Sequence, residues 1–239
     1  MQIVWIVLLS LVGLIVGYVL FLFIATRFAN PNREYTKISP FFRALGASIG
    51  YVVLTLSNVR MVVEGKELLP EGRFLLVCNH RSNFDPFVTW IPLLQYDLAF
   101  ISKPENFKIP ILGRLLYPLC FLPLDRDNAK NAVQTINKAS SLLKTDAASI
   151  AIYPEGTRNK TDATLLPFHN GAFKIAQKAD VPIVVTVLTG TRQISKNAPF
   201  RRSTTTLKIL RVLSAEEVKS MRSAEIGDLV EALMLKELA

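Results

Sequence analysis

One stretch at the amino terminus constrains the fold of this chain more than any other. Residues 3–25 run for 23 positions without a charged side chain, and only one serine, two glycines and one tyrosine interrupt the apolar pattern. As a helix, this stretch would span roughly 34 Å, which is enough to cross the core of a bilayer. A secretory signal peptide is the alternative, but no basic segment precedes the apolar run, and the run is long for a signal peptide. We therefore predict a retained transmembrane anchor over residues 1–25.

The basic residues lie on one side of this predicted anchor. Arg27, Arg33, Lys37 and Arg43 follow it, whereas only Met1 and Gln2 precede it, and the formal net charge of the chain is +9. The positive-inside rule then predicts a single-pass membrane protein whose remaining residues lie on the cytoplasmic face. A basic domain held at a bilayer is attracted to anionic membrane lipids, which are the first predicted partners. Nucleic acid is not a predicted partner, because the chain has no zinc-finger spacing, RNA-binding signature or basic helical block.

Residues 26–57 form a second segment, a basic linker followed by another apolar helix over 40–57. The uncharged part of that helix after Arg43 is only 14 residues long, which is short for a membrane span. Two interpretations stay open: a helix lying in the membrane interface, or a helix of the folded core. The remaining residues, 58–239, are predicted to form one domain.

The pattern after residue 58 alternates between short apolar runs and helical periodicity. This alternation predicts an α/β fold in which helices flank a largely parallel sheet. Helices are predicted over 85–94, 128–144, 170–179 and 215–238. Strands are predicted over 59–63, 74–78, 99–102, 120–124, 149–153, 183–188 and 207–212.

The predicted strand 74–78 leads directly into a histidine and a carboxylate, His80 and Asp85. The chain has only two histidines, the other being His169, so His80 is the first candidate for a general base near neutral pH. A carboxylate bonded to one ring nitrogen would fix the tautomer and stabilise the imidazolium. The alternative interpretation is that Asp85 caps a helix whose first turn contains Pro86, and both remain possible at this stage.

Two more strand ends carry arginine. Gly156 and Arg158 follow the strand 149–153, and Arg126 follows the strand 120–124. A guanidinium group can bind phosphate or carboxylate through two parallel hydrogen bonds, although each arginine taken alone could equally form a surface ion pair. If the strands are parallel, the base and the arginines would meet in one crevice at the carboxyl end of the sheet.

Several kinds of chemistry are not indicated by the sequence. There is no P-loop, GxGxxG or GxSxG motif, which argues against nucleotide hydrolysis, dinucleotide redox chemistry and α/β-hydrolase catalysis. Cys78 and Cys120 both lie in apolar runs, and no cluster of ligands predicts a metal site. Because no nucleophile is evident beside His80, direct attack by a substrate hydroxyl is favoured over a covalent intermediate.

Four blocks occur in an order that resembles a known family. Residues 79–85 match an NHxxxxD block, 121–126 a block that ends in arginine, 153–158 an FPEGTR block with tyrosine in the first position, and 181–184 a fourth block. A lysine-bearing segment over 102–113 precedes the second block. Together these segments resemble the 1-acyl-sn-glycerol-3-phosphate acyltransferase family over roughly residues 60–190. Val185 and His169 depart from the common pattern of that family.

The resemblance implies a specific reaction and site. An acyl group would pass from acyl-CoA or acyl-carrier protein, as co-substrate, to the free hydroxyl of lysophosphatidic acid, giving phosphatidic acid. His80 would be the general base and Asp85 its orienting partner, with no metal and no bound cofactor. The substrate-binding residues would be Lys103, Arg126, Glu155, Gly156, Thr157 and Arg158.

Other functions remain compatible with the same features. Related enzymes with these motifs acylate other lysophospholipids or glycerol 3-phosphate. A non-catalytic, membrane-anchored module that binds anionic lipids would explain the anchor and the charge, but it leaves the spacing of His80 and Asp85 unexplained.

Overall fold

The computed structural model describes residues 1–125 and 128–239. Nine α-helices, five short 3-10 helices and seven strands occur in these two ranges. The helices are α1 Gln2–Arg27, α2 Pro40–Leu56, α3 Asp85–Trp90, α4 Leu112–Leu116, α5 Ala129–Lys144, α6 Lys174–Ala179, α7 Ile194–Asn197, α8 Ala215–Ser220 and α9 Ser223–Leu238. The strands are β1 Val59–Glu64, β2 Leu75–Val77, β3 Leu98–Ser102, β4 Leu122–Pro123, β5 Ser149–Ile152, β6 Ile183–Thr189 and β7 Ser203–Leu213.

The described strands form one sheet in the order β1-β7-β6-β2-β5-β3-β4. All neighbouring pairs are parallel except β6 and β7, which are antiparallel. The strands β6, β2, β5, β3 and β4 therefore run in one direction, and we call the end of the sheet at which they finish its carboxyl end. The predicted α/β fold with a largely parallel sheet is confirmed.

The order of the strands explains why a crevice forms at this end. The chain moves from β2 to β3 and β4 on one side of β2, and then returns through β5 to β6. Since parallel crossovers are right-handed, connections that run in opposite directions along the sheet place their helices on opposite faces. The loops after the adjacent strands β2 and β5 therefore diverge, and such a switch point is where open α/β sheets bind ligands.

The core lies along the central strands. Leu75, Leu76 and Val77 in β2 and Val184 in β6 are essentially inaccessible to solvent. Such continuous burial is expected of parallel strands that are covered by helices on both faces. The central strands thus give the residues that follow them a rigid base.

Helix α1 is long and apolar enough to cross a membrane, with 26 residues and a mean hydropathy of 2.8. Only its last turns pack against the rest of the protein, through Leu22, Ala25 and Thr26. Tyr18 is also hydrogen-bonded to Ser48 of α2, with 2.9 Å between the two hydroxyl oxygens. The remaining apolar side chains of α1 are exposed.

Helix α2 has features of both interpretations of residues 40–57. One face is buried, and its two glycines allow close packing: a Cβ at Gly46 would lie 2.8 Å from the Trp90 ring, and one at Gly50 would lie 2.5 Å from Ile91. The other face leaves Phe41 and Leu56 exposed. The helix therefore belongs to the packed structure and also presents an apolar surface outward.

Several elements differ from the sequence predictions. The predicted strand 120–124 pairs with β3 only through Leu122–Pro123, and the predicted strand 207–212 begins earlier, at Ser203. The predicted helix 215–238 is broken into two, because Glu225 accepts a hydrogen bond from the backbone N–H of Arg222 and so starts a new helix. Asp85 is the first residue of α3 rather than its cap, and its side chain makes no capping hydrogen bond.

Candidate active site

The loop after β2 is held by a buried asparagine. Asn79 donates from Nδ2 to the carbonyl oxygen of Leu188 at 3.0 Å, and its Oδ1 accepts from the Leu188 N–H at 2.7 Å. This pair of bonds ties the loop to β6, the strand beside β2. The direction in which the next residue, His80, leaves the sheet is therefore fixed by the core.

His80 and Asp85 are brought together by the tight turn between β2 and α3. His80 Nδ1 lies 2.7 Å from Asp85 Oδ2, and the same oxygen accepts the backbone N–H groups of Arg81 at 2.6 Å and Ser82 at 2.7 Å. Asp85 is fully buried, so its charge is stabilised by these three donors rather than by water. A carboxylate at Nδ1 favours the proton on that nitrogen, which leaves Nε2 as the acceptor.

A second buried carboxylate supports the same loop. Glu155 Oε1 accepts the backbone N–H of His80 at 2.6 Å, and Oε2 accepts that of Leu166 at 2.9 Å. Burial raises the pKa of Glu155, and the two backbone hydrogen bonds partly oppose that rise. Glu155 thus connects the loop after β2 to the loop after β5 directly beneath the histidine.

The ring of Tyr153 fixes the plane of the imidazole. The two rings are stacked, with 4.2 Å between their centroids and 14° between their planes. Burial raises the pKa of Tyr153 well above its usual value, and the charge of Asp85 raises it further. The hydroxyl is therefore neutral, and the tyrosine presents a flat, uncharged surface to His80.

His80 opens onto a cavity of about 620 Å³. Its lining includes His80 together with Lys103, Gly156, Thr157 and Arg158. Further polar side chains that line it are those of Asn83, Ser102, Asn106, Thr135 and His169. Gly156 has a φ of 73°, a left-handed conformation that suits glycine and turns the chain sharply after β5. The apolar part is lined by residues of α2, α3, α4 and nearby loops, among them Ile49, Phe87, Trp90, Leu112, Leu115, Leu116, Leu119 and Phe121.

The structure brings most of the predicted site residues together. His80, Lys103, Gly156, Thr157 and Arg158 face one cavity, while Asp85 and Glu155 lie behind His80. Arg126, the remaining predicted substrate ligand, lies outside the described residues. The role of each residue in binding or catalysis stays a prediction.

Lys103 and Arg158 are available for a ligand. Neither forms an ion pair within residues 1–125 and 128–239, although both line the cavity. A planar guanidinium and an ammonium group in a cavity that many apolar side chains also line favour a ligand with one anionic end and one apolar end.

The apolar wall was not predicted as part of the site. Gly46 and Ile49 of α2 reach it from a segment distant in sequence, and Leu115 and Leu116 reach it from α4. The apolar composition of residues 109–124 was the available signal, but composition does not show which face of such a segment encloses a cavity.

The two cysteines are poor candidates for a nucleophile. Both are buried, and burial raises the pKa of Cys78 and raises that of Cys120 to about 11. Thiols with such pKa values are protonated near neutral pH and react slowly. Within the described ranges, no group of His, Cys, Asp or Glu side chains could hold a metal ion.

Comparison with known proteins gives a consistent picture. A family model described as "Acyltransferase" matches residues 60–189. A Salmonella typhimurium protein named 1-acyl-sn-glycerol-3-phosphate acyltransferase is 30% identical over 171 residues, which cover 70% of this chain and 68% of the relative. A Saccharomyces cerevisiae protein of the same name is 28% identical over 191 residues, which cover 79% of this chain and 63% of that protein.

A solved structure also matches the fold. The crystal structure of the 1-acyl-sn-glycerophosphate (LPA) acyltransferase PlsC from Thermotoga maritima aligns with a TM-score of 0.66 at 25% identity, covering 82% of this chain and 78% of that one. Against several curated relatives the match is shorter: it covers 54% of a Limnanthes douglasii relative and 46% of a chloroplastic relative from Brassica napus.

Proposed function

Because the chain belongs to the acyltransferase family, we propose that it transfers a fatty acyl group to the free hydroxyl of lysophosphatidic acid and so forms phosphatidic acid. The observation that carries this proposal is the 2.7 Å contact between His80 Nδ1 and a buried Asp85, where His80 lines a cavity with many apolar side chains. A non-catalytic lipid-binding module would have no need of this arrangement.

The proposed reaction uses His80 as a general base. Nε2 accepts the proton of the acceptor hydroxyl as its oxygen attacks the thioester carbonyl of the acyl donor. The C–O bond of the new ester forms, the C–S bond breaks, and the proton passes from the imidazolium to the leaving sulfur. Asp85 holds the Nδ1 proton and stabilises the imidazolium while it exists.

The cations at the polar part of the cavity fit the acceptor. Arg158 and Lys103 line the cavity without an ion-pair partner among the described residues, and a phosphate monoester would supply that partner. Arg126 is proposed to join them. Bound phosphate would place the acceptor hydroxyl close to His80, which lowers the entropic part of the barrier.

The apolar part of the cavity fits the acyl chain. Side chains such as Phe87, Trp90 and Leu116 line it, and they would bury methylene groups away from water. Both acyl-CoA and acyl-carrier protein deliver the chain as a thioester, so either donor is compatible with this cavity.

We further propose that α1 spans the bilayer and that the rest of the chain faces the cytoplasm. Its length and hydropathy support the span, and the four basic residues that follow it support the orientation. Acceptor and product would then stay in the membrane, while the donor arrives from the cytoplasm.

The test is an acceptor panel assayed with both donors. The full chain in mixed micelles is given lysophosphatidic acid, other lysophospholipids or glycerol 3-phosphate, each with acyl-CoA or with acyl-carrier protein. We expect the highest kcat/KM with lysophosphatidic acid and at least one donor. A preference for another acceptor would assign the enzyme to that lipid, and no turnover with any pair would contradict the proposed activity.

A further inference from the structure

The loop over residues 198–202, which we call the Phe200 tip, carries an exposed apolar side chain and lies outside the amino-terminal helices. Phe200 is 92% exposed, although phenylalanine is among the residue types most often fully buried. The tip is held in place: the Arg201 N–H donates to the Asn197 carbonyl at 2.8 Å, and Asn197 Nδ2 donates to Ser203 Oγ at 3.1 Å. Phe200 is therefore presented outward by an ordered turn.

The charged residues nearest the tip in sequence are all cations. Arg201 and Arg202 follow Phe200 directly, and Lys196 and Arg192 precede it; all four are exposed. No aspartate or glutamate occurs between Asp180 and Glu216 in the sequence. An exposed aromatic side chain whose charged neighbours in sequence are all cations matches a surface that is apolar inside and anionic outside, which describes a bilayer with anionic headgroups.

The Phe200 tip lies at the carboxyl end of the sheet, where the active site is. Strand β7 is antiparallel to β6, so β7 begins at the end where β6 finishes. Its first residue, Ser203, pairs with Val59 and donates its N–H to the Asn58 carbonyl at 3.0 Å. The tip therefore adjoins the end of α2, where Leu56 is 68% exposed.

We propose that the Phe200 tip, together with the exposed end of α2, docks on the surface of an anionic bilayer and holds the carboxyl end of the sheet against it. This contact is separate from α1 and does not depend on the proposed acyl transfer. Because α1 already tethers the chain to the membrane, docking is intramolecular, and even a weak contact is well populated.

The test measures the depth of residue 200 in a bilayer. The full chain carrying Phe200→Cys is labelled with an environment-sensitive fluorophore and reconstituted into vesicles of equal parts phosphatidylcholine and phosphatidylglycerol. The native thiols Cys78 and Cys120 are buried, so labelling is selective for the new cysteine. We expect a blue-shifted emission that lipids with nitroxides near the headgroup quench.

Leu68→Cys is the matched control. Leu68 is also an exposed apolar residue close to a lysine, Lys66, but it follows the carboxyl terminus of β1 and so lies at the opposite end of the sheet. The label at residue 68 should remain in water. Its emission is compared with that of residue 200 in the same vesicles.

Removing charge from either the lipids or the protein completes the test. In vesicles of phosphatidylcholine alone, or when Arg201→Gln and Arg202→Gln are combined with Phe200→Cys, the blue shift should decrease several-fold. A label at residue 200 that is as solvated as the one at 68 would overturn the proposal. Shielding at residue 200 without quenching by nitroxide lipids would also overturn it, since that result indicates a protein partner. Neither readout requires turnover, so a failure of the proposed activity would be seen separately.

Discussion

At the scale of single residues, His80 carries the proposed chemistry and its neighbours fix its position. We expect His80→Ala to lower kcat by about 10²–10⁴-fold, because a well-placed general base contributes that much. The protein should stay folded, since the backbone N–H of residue 80 still donates to Glu155. Turnover with saturating substrates and a thermal melt in detergent are the measurements.

Asp85→Asn is the companion variant. The amide oxygen can still accept the N–H groups of Arg81 and Ser82, so the loop should keep its shape. The amide lacks the charge that stabilises the imidazolium, so a large loss of kcat with an unchanged melting temperature is expected. A loss of stability with little loss of kcat would instead assign Asp85 a purely structural role.

Arg158 offers a test of substrate orientation. Arg158→Lys should reduce kcat/KM for lysophosphatidic acid, because lysine lacks the planar pair of donors, and Arg158→Ala should reduce it further. The KM for the acyl donor should change much less. The same two substitutions at Arg126 should have the same effects. If the variants instead raise the KM for the donor and leave that for the acceptor unchanged, the proposed orientation of the two substrates is reversed.

Glu155 predicts a pH dependence of stability. Burial raises its pKa, so the folded state binds this proton more tightly than the unfolded state does. Its contribution therefore favours folding below the unfolded pKa and is lost as pH rises through the folded pKa. Relative to Glu155→Gln, which does not titrate, the native protein should lose stability with rising pH across that window. Melting temperatures of both proteins at several pH values check this. A native melting temperature that rises relative to that of Glu155→Gln as the pH increases would contradict it.

At the scale of elements, α2 forms one side of the cavity through Gly46 and Ile49. Gly46→Val would place its Cβ against the Trp90 ring, and overpacking of this kind costs about 1–3 kcal/mol. The gain in helix propensity, a few tenths of a kcal/mol, does not offset that cost. Ala44→Val, on the exposed side of the same helix, is the control and should leave the melting temperature nearly unchanged. Equal effects at both positions would show that α2 is not packed as described.

The elements also show which parts of the site could be predicted from sequence. The strands before His80 and Tyr153 were predictable, because buried parallel strands are continuous apolar runs that end at polar residues. The contact between Nδ1 of His80 and Asp85 was one of two open interpretations, since the helix-start signal at Asp85-Pro86 fits a cap equally well. The wall from α2 and α4 depends on packing between distant segments, and local periodicity contains no information about it.

At the scale of the whole molecule, the charge distribution predicts the orientation of the chain in the membrane. A cysteine at Asn32, which is exposed after α1, should resist a membrane-impermeant thiol reagent in intact cells. A cysteine at Gln2, at the other end of α1, should be labelled readily and serves as the control. After the cells are opened, both positions should react. Labelling of residue 32 in intact cells would reverse the proposed topology. The candidate active site and the cytoplasmic acyl donor would then lie on opposite sides of the membrane.

The position of β1 in the sheet has a consequence for how the chain is made. Among the described strands, β1 pairs only with β7; β1 ends at Glu64 and β7 begins at Ser203. At translation rates of about 5–20 residues per second, this separation corresponds to on the order of ten seconds. During that interval β1 has emerged from the ribosome without its neighbour, while α1 is already available for insertion. The sheet is therefore completed late in synthesis, by a strand that arrives after every other strand has been made.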